Sequence, residues 1–219
     1  MKLTGLPYTV YVNRKLGSMI ANACPKSITP DSLTLLSFIV FLVACYLLVV
    51  SSDIVLSSLA VFLFLLQYAL DSADGMLARL RNQSSKIGEW LDHSLDGLRI
   101  VILHTTVLVM LFINNVDFGL VEISAVGISI VSMSGSYIAN QLKVFIIGSR
   151  SGELLNDFTS KKRKFLKILL IPADFGIYYM LFFFIHSPYF LQVYFLWGLY
   201  FLAIFIANMI ITYYQETKV

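Results

Sequence analysis

Four aspartates between positions 71 and 96 are the part of the sequence whose residue types and spacing could do chemistry. The segment reads DSADGMLARLRNQSSKIGEWLDHSLD. Asp71 and Asp74 lie one helical turn apart, as do Asp92 and Asp96, so each pair falls on one face of a helix. The polar stretch between the two pairs predicts that the chain turns back there. Two neighbouring helices would then present two carboxylates each to a shared space.

Carboxylates at this density need a cation to neutralise them. An acidic side chain at the centre of a membrane helix costs about 2.5–3.5 kcal/mol on insertion scales, and neighbouring like charges repel one another. Hard oxygen ligands suit Mg²⁺ or Mn²⁺. Two such ions held by the four aspartates would form a clamp suited to displacement at phosphorus. We therefore predict a site for two divalent cations.

The residues beside the carboxylates fit a bulky phosphorylated ligand. Gly75 and Ala78 share the helix face of the first aspartate pair. Small side chains there would let a ligand lie against the helix backbone. Arg79 follows them as a cation that can pair with a diphosphate.

The composition places this acidic motif in a membrane protein. The chain has 219 residues, of which 58% are hydrophobic and 13% charged, whereas about a quarter of the residues in a soluble domain are charged. Disorder, a disulfide scaffold and a nucleic-acid-binding module are excluded for the chain as a whole. The two cysteines, Cys24 and Cys45, are predicted to be free thiols.

The hydrophobic pattern predicts an all-α membrane protein with six transmembrane helices and one domain over residues 1–219. A membrane helix needs about 20 mainly apolar residues. The predicted apolar segments are Ser32–Val50, Ile54–Leu70, Leu98–Ile113, Phe118–Tyr137, Phe165–Ile185 and Tyr189–Tyr213. Residues 31–213 would form the bundle, and the second helix is expected to continue into the polar motif. Residues 1–30 would be a cytoplasmic juxtamembrane segment with an amphipathic helix on the membrane surface.

The positions of the basic residues predict the orientation. None of the sixteen Lys and Arg residues lies in the short connections Ser51–Asp53, Asn114–Asp117 and His186–Pro188. By the positive-inside rule, both termini and both long connections face the cytoplasm. The aspartate motif adjoins one of those long connections, so the site is predicted to open to the cytoplasmic side.

The motif resembles the signature of the CDP-alcohol phosphotransferase family. The pattern is D-x-x-D-G-x-x-A-R, eight intervening residues, and then G-x-x-x-D-x-x-x-D. It is matched in full by Asp71, Asp74, Gly75, Ala78, Arg79, Gly88, Asp92 and Asp96. The segment ITPDSLT at 28–34 also resembles the family's opening of the first span, with Asp31 where members often have asparagine.

The resemblance implies a role for each matched residue. Asp71, Asp74, Asp92 and Asp96 would hold two Mg²⁺ or Mn²⁺ ions, and Asp96 would also be the general base for the acceptor hydroxyl. The pocket for CDP would be formed by Asp74, Gly75, Ala78, Arg79, Gly88 and Thr34. Arg99 and Lys143 are candidates for contacting the acceptor.

The resemblance also implies the reaction and the partners. An alcohol would attack a CDP-linked alcohol and release CMP, with CDP-diacylglycerol as the expected donor in phospholipid biosynthesis. Family members are homodimers in membrane lipid, so a homodimer is expected, and no nucleic acid is involved.

Two other functions stay open at this point. The run SSKIGEWLDHSLD is similar to that of choline- and ethanolaminephosphotransferases, in which a soluble CDP-alcohol reacts with a lipid alcohol. Four acidic residues within membrane helices are also typical of ion-coupled transporters. Consumption of a CDP-lipid, of a soluble CDP-alcohol, or of neither would discriminate the three.

Overall fold

The computed structural model describes residues 6–113, 119–147 and 168–216, and these residues form helices and turns without any strand. The α-helices, in chain order, are α1 (Arg14–Ala23), α2 (Pro30–Val50), α3 (Ile54–Leu80), α4 (Lys86–Ile113), α5 (Leu120–Ile147), α6 (Phe175–Met180) and α7 (Phe190–Glu216). A π-helical turn, Thr9–Asn13, precedes α1, and two 3₁₀ turns, Ile171–Ala173 and Leu181–Phe184, flank α6.

Five of these helices are long and apolar enough to cross a membrane. They are α2, α3, α4, the Leu120–Phe145 part of α5 and the Phe190–Tyr214 part of α7. The predicted fold class, an all-α membrane protein, is therefore confirmed. The count of six spans and the cytoplasmic position of both termini stay predictions.

Local sequence signals explain where the helices of the acidic motif begin and end. Pro30 opens α2, and the Thr29 side chain caps it by accepting a hydrogen bond from the backbone N–H of Ser32. The second predicted span does continue through the polar motif, because α3 extends to Leu80. Asn82 then adopts a positive φ of 54°, a conformation that asparagine tolerates better than most residues, and the chain reverses into α4.

The predicted fifth span, Phe165–Ile185, is not one continuous helix in its described part. Pro172 has no backbone N–H to donate, and the segment around it forms only a 3₁₀ turn. Asp174 then leaves the helical conformation, and its side chain caps α6 by accepting from the backbone N–H of Gly176. The shorter apolar helix Phe175–Phe184 that results packs its aromatic side chains into the core, where the ring of Tyr179 stacks on Phe64 at 5.1 Å between centroids.

The N-terminal helix lies against α3. A Cβ on Gly17 would be 3.0 Å from the Cβ of Ser72, so the absence of a side chain permits this close approach. The helix exposes the apolar residues Leu16 and Met19, and the π-helical turn before it exposes Tyr11. The predicted amphipathic helix is thus present, and its place on the membrane surface remains a prediction.

Polar contacts join α5 to its neighbours within the membrane-spanning part. The Nδ2 of Asn208 on α7 donates to the Oδ1 of Asn140 on α5 at 2.8 Å. His104 of α4 is fully buried and contacts Tyr194 of α7 and the sulfur of Met133 on α5. Hydrogen bonds of this kind stabilise helix pairs in lipid, where no water competes for the polar groups.

Candidate active site

The four predicted aspartates converge where α3 and α4 face each other. One oxygen from each of Asp71, Asp74 and Asp92 lies within 4.8 Å of the others. A second group, Asp92, His93 and Asp96, satisfies the same distance limit. Asp92 belongs to both groups, so the two sets of ligand atoms adjoin. The helical spacing read from the sequence predicts this convergence correctly.

Asp74 is the most buried carboxylate of the cluster, with 5% of its surface exposed. The hydroxyl of Thr34 on α2 donates to its Oδ2 at 2.6 Å, and the backbone N–H of Gly75 donates to its Oδ1 at 2.5 Å. Thr34, predicted to bind CDP, therefore contacts the most buried aspartate directly, and its role toward the nucleotide stays a prediction.

Arg99 is tied to the carboxylates themselves. Its Nη1 donates to Asp71 and, at 2.6 Å, to the Oδ1 of Asp96, and 5% of the residue is exposed. Its Nη2 donates to the hydroxyl of Ser37 at 2.6 Å. Arg99 was predicted as an acceptor-binding residue, which stays a prediction, and in the structure it pairs with two of the four aspartates.

Ser37 completes a buried path between the two sides of the cluster, and the sequence analysis missed it. Its hydroxyl accepts from Arg99 and donates to the backbone carbonyl of Thr34 at 2.7 Å. The path runs from Asp96 through Arg99 and Ser37 to Thr34, and from there to Asp74. Ser37 lies three residues after Thr34, so the helical period of α2 could have identified it.

Two cavities meet the aspartates from different sides. The larger, about 460 Å³, lies toward the turn between α3 and α4. Its walls include Asp31, Thr34, Asp74, Gly75, Ala78, Arg79, Gly88, Glu89, Asp92 and His93. All six residues predicted to bind CDP therefore line one cavity, although their roles stay predictions. Gly75 leaves it open, since a Cβ there would meet only the Arg79 guanidinium, at 3.5 Å.

The smaller cavity, about 240 Å³, is bordered by the other two aspartates. Its walls are formed by Gln67, Tyr68, Asp71, Asp96, Arg99, Ile100, Leu103, Met133, Tyr137, Phe175 and Tyr179. Sequence reasoning did not single out Gln67, which lies one helical turn before Asp71, nor the aromatic residues, which resemble ordinary membrane-core positions.

Lys143, the second predicted acceptor contact, is not brought to either cavity. It lies on α5 and its Nζ donates to the hydroxyl of Thr212 on α7 at 3.1 Å. A lysine on a membrane-spanning helix needs such a polar partner, and the hydroxyl of α7 supplies it away from the aspartates.

His93 is held beside the cluster by α5. Its Nδ1 lies 3.1 Å from the Nε2 of Gln141, and the Tyr137 hydroxyl donates to its backbone carbonyl at 2.7 Å. Because the amide of Gln141 donates to Nδ1, the proton of a neutral His93 lies on Nε2. This arrangement connects the second aspartate pair to α5.

The residues fit the predicted divalent cations. Carboxylate oxygens of Asp71, Asp74 and Asp92 lie close enough together to share an ion, those of Asp92 and Asp96 form a second close pair, and the Oδ1 of Asp92 is buried without a hydrogen-bond partner among the described residues. An unpartnered buried carboxylate oxygen is costly unless a cation or another ligand satisfies it. Asp71, Asp74, Asp92 and Asp96 would hold the ions.

The four aspartates of this helical membrane protein lie between two cavities, an arrangement that could bring two substrates together at an acidic centre. The family model described as CDP-alcohol phosphatidyltransferase matches residues 27–212, and the chain therefore belongs to that family. This membership confirms the predicted class of enzyme, a CDP-alcohol phosphotransferase.

One curated relative is the "Bifunctional IPC transferase and DIPP synthase" of Thermococcus kodakarensis. The chain is 29% identical to it over 86 residues, which is 39% of this chain and 19% of the relative. The chain thus spans about a fifth of the length of the curated relative it matches.

Proposed function

We propose that the protein transfers a phosphatidyl group from CDP-diacylglycerol to an alcohol acceptor and releases CMP to the cytoplasm. The observation that carries this proposal is the position of the aspartates between two cavities. Asp74 and Asp92 border the cavity that holds the predicted CDP-binding residues, whereas Asp71 and Asp96 border the other. One cavity would take the nucleotide and the other the acceptor, and the reacting phosphorus would lie between them.

The chain's own residues would do the following. Asp96 takes the proton from the acceptor hydroxyl, and the resulting oxygen attacks the phosphorus that carries the lipid. The bond from that phosphorus to the oxygen bridging the diphosphate breaks, and CMP leaves with the bonding electron pair. Arg99 keeps Asp71 and Asp96 in place during the transfer. Divalent cations bound by the aspartates would supply charge neutralisation for the diphosphate. We also propose that the enzyme is a homodimer, following the family resemblance.

A second candidate function is the transfer of a headgroup phosphate from a soluble CDP-alcohol to a lipid alcohol. The observation in its favour is the apolar and aromatic wall of the smaller cavity, formed in part by Ile100, Leu103, Met133 and Phe175. A wall of this kind suits an acceptor that carries hydrocarbon. In this reaction the same aspartates would act, but the soluble molecule would be the CDP-linked donor and the lipid would be the acceptor.

The experiment measures CMP release by the purified chain in lipid nanodiscs with Mg²⁺ or Mn²⁺. One series contains CDP-diacylglycerol with glycerol 3-phosphate, inositol, inositol phosphate or serine, and another contains CDP-choline or CDP-ethanolamine with diacylglycerol. Acceptor-dependent CMP in the first series, abolished by EDTA, is the expected result. CMP only in the second series would favour the headgroup transfer. Absence of both CMP and CDP binding would contradict the proposal and favour the transporter.

Replacing Ser37 by alanine should lower kcat for CMP release by roughly tenfold, equivalent to about 1.4 kcal/mol of transition-state free energy. The substitution leaves the Nη2 of Arg99 without its acceptor, and the Nε of this guanidinium already has no partner among the described residues. Arg99 would then hold Asp71 and Asp96 less firmly. Ser37→Thr keeps a hydroxyl and should retain more activity than alanine.

Ser57→Ala is the matched control for this measurement. Ser57 is an equally buried serine of α3, and its hydroxyl bonds only to backbone carbonyls of its own helix start. Wild-type kcat in Ser37→Ala, measured beside an active Ser57→Ala protein, would show that the Arg99–Ser37 contact does not support turnover.

A further inference from the structure

Asp174, at the break in the fifth apolar segment, is bound by the N-terminal segment of the chain. The backbone N–H of Thr9 donates to its Oδ2 at 2.9 Å, and the Thr9 hydroxyl donates to its Oδ1 at 2.9 Å. Only 1% of Asp174 is exposed. A buried carboxylate with both oxygens bound by one residue is a specific contact between segments 165 positions apart in the chain.

The helical geometry of the N-terminal segment makes this contact available. Val10 donates a backbone hydrogen bond to Leu6, and the N–H of Thr9, close to the start of the described segment, donates to Asp174. The π-helical turn begins at Thr9, and turns of this kind occur frequently at functional sites.

The ring of Tyr8 also packs against α6, close to the Thr9–Asp174 contact. A Cβ on Gly176 would lie 2.0 Å from the Cδ1 of Tyr8, so the ring occupies the space that a side chain would take. Burial, together with the nearby Asp174 carboxylate, raises the pKa of Tyr8, and the phenol stays protonated. Gly176 is therefore the residue that lets the N-terminal segment approach α6.

The contact extends to the smaller cavity through Tyr68. The Thr9 hydroxyl lies 2.8 Å from the Tyr68 hydroxyl, and because its own proton goes to Asp174, the phenol of Tyr68 donates. Tyr68 is on α3, one helical turn before Asp71, and its ring lies beside that of Phe175 with centroids 6.4 Å apart. Both rings line the cavity that Asp71, Asp96 and Arg99 border.

We propose that Thr9 and Asp174 are positioning residues for the acceptor. They join the N-terminal segment, α3 and α6 at one place, and hold Tyr68 and Phe175 in the wall of the smaller cavity, so that they set the KM for the alcohol. This inference rests on the proposed function, in which the acceptor occupies that cavity. The larger cavity has no wall from these residues, and the KM for the CDP-linked donor is independent of them.

The test measures both Michaelis constants for CMP release by the full chain in nanodiscs, with the donors and acceptors of the panel above. Thr9→Val, Asp174→Asn and Tyr68→Phe should each raise the KM for the acceptor about fivefold or more and leave the KM for the donor within twofold. Thr9→Ser keeps the hydroxyl and should behave as the wild type. Thr105→Val is the matched control, because Thr105 is an exposed threonine of α4 whose hydroxyl bonds only to a carbonyl of its own helix.

The contact between Thr9 and Asp174 can also be tested without catalysis. The melting temperatures of Thr9→Val, of Asp174→Asn and of the variant with both substitutions are measured. Non-additive melting shifts show that the two residues interact. An unchanged acceptor KM alongside such coupling would overturn the positioning role and leave the proposed function intact. Equal rises of both KM values, or wild-type kinetics of Thr9→Val and Tyr68→Phe, would overturn it as well. A wild-type chain that releases no CMP with any pair would overturn both proposals.

Discussion

Asp96→Asn should reduce kcat for CMP release by about 10³-fold while the protein still folds and binds CDP. An amide has the same shape as the carboxylate but cannot take the proton of the acceptor hydroxyl, and loss of a general base typically costs 10²–10⁴-fold. Asp96 borders the smaller cavity, whereas the predicted CDP-binding residues line the larger one. The substitution should therefore separate turnover from nucleotide binding. Single-turnover CMP release and equilibrium binding of CDP would measure the two quantities on the same preparation.

Asp53→Asn is the matched control. Asp53 caps the start of α3 at the other end of the helix, where its Oδ1 accepts from the backbone N–H groups of Val55 and Leu56. Asparagine caps helices about as well as aspartate, so this variant should keep wild-type activity. If Asp96→Asn also released CMP at a near-normal rate, another group would have to be the base.

The acidic centre could be predicted because its positions obey one local rule. Asp71 and Asp74 on α3, and Asp92 and Asp96 on α4, are spaced by a helical turn, and the turn at Asn82 reverses the chain between the two helices. Helical period and a polar connection are both readable from the sequence. Thr34 and the predicted CDP-binding glycines follow the same faces and line the same cavity.

The remaining features depend on contacts between distant parts of the chain. Pro172 and Asp174 signal a helix irregularity, but the partner of Asp174 is Thr9, 165 positions away. Apolar periodicity carries no information on such a pairing, and the fifth segment therefore reads as one continuous span when the sequence alone is considered. The same reason explains Lys143, which is placed by Thr212 on the last helix rather than by its distance from the motif.

Arg99 shows another reason why the sequence alone does not determine the site. Its position one turn after Asp96 shows that it could reach the site, but a guanidinium there could contact the acceptor, pair with a carboxylate or extend toward the membrane surface. The choice depends on Ser37 and Asp71, which lie on two other helices and accept from its two terminal nitrogens. Tertiary packing, which no local pattern encodes, therefore decides its role.

Asp92→Asn should have the second large effect, a rise of about 100-fold in the Mg²⁺ or Mn²⁺ concentration that gives half-maximal CMP release. Asp92 contributes to both groups of potential ligand atoms, and its buried Oδ1 has no partner among the described residues. Replacing a residue that only orients a metal ligand already lowers the metal affinity 10–100-fold. Loss of a ligand that both groups share should therefore lower it at least as much. Asp92 is chosen for this measurement because Asp71 and Asp96 both also pair with Arg99.

Metal-dependent stability gives a readout of Asp92 that does not require turnover. An ion that binds only the folded protein raises its melting temperature, and the rise grows with the ratio of ion concentration to Kd. The wild type and Asp53→Asn should therefore melt at higher temperature in Mg²⁺ or Mn²⁺ than in EDTA, and Asp92→Asn should lose most of this difference. An Asp92→Asn protein with the wild-type metal titration in both measurements would remove Asp92 from the metal ligands, and its unpartnered oxygen would then have to be satisfied by the substrate itself.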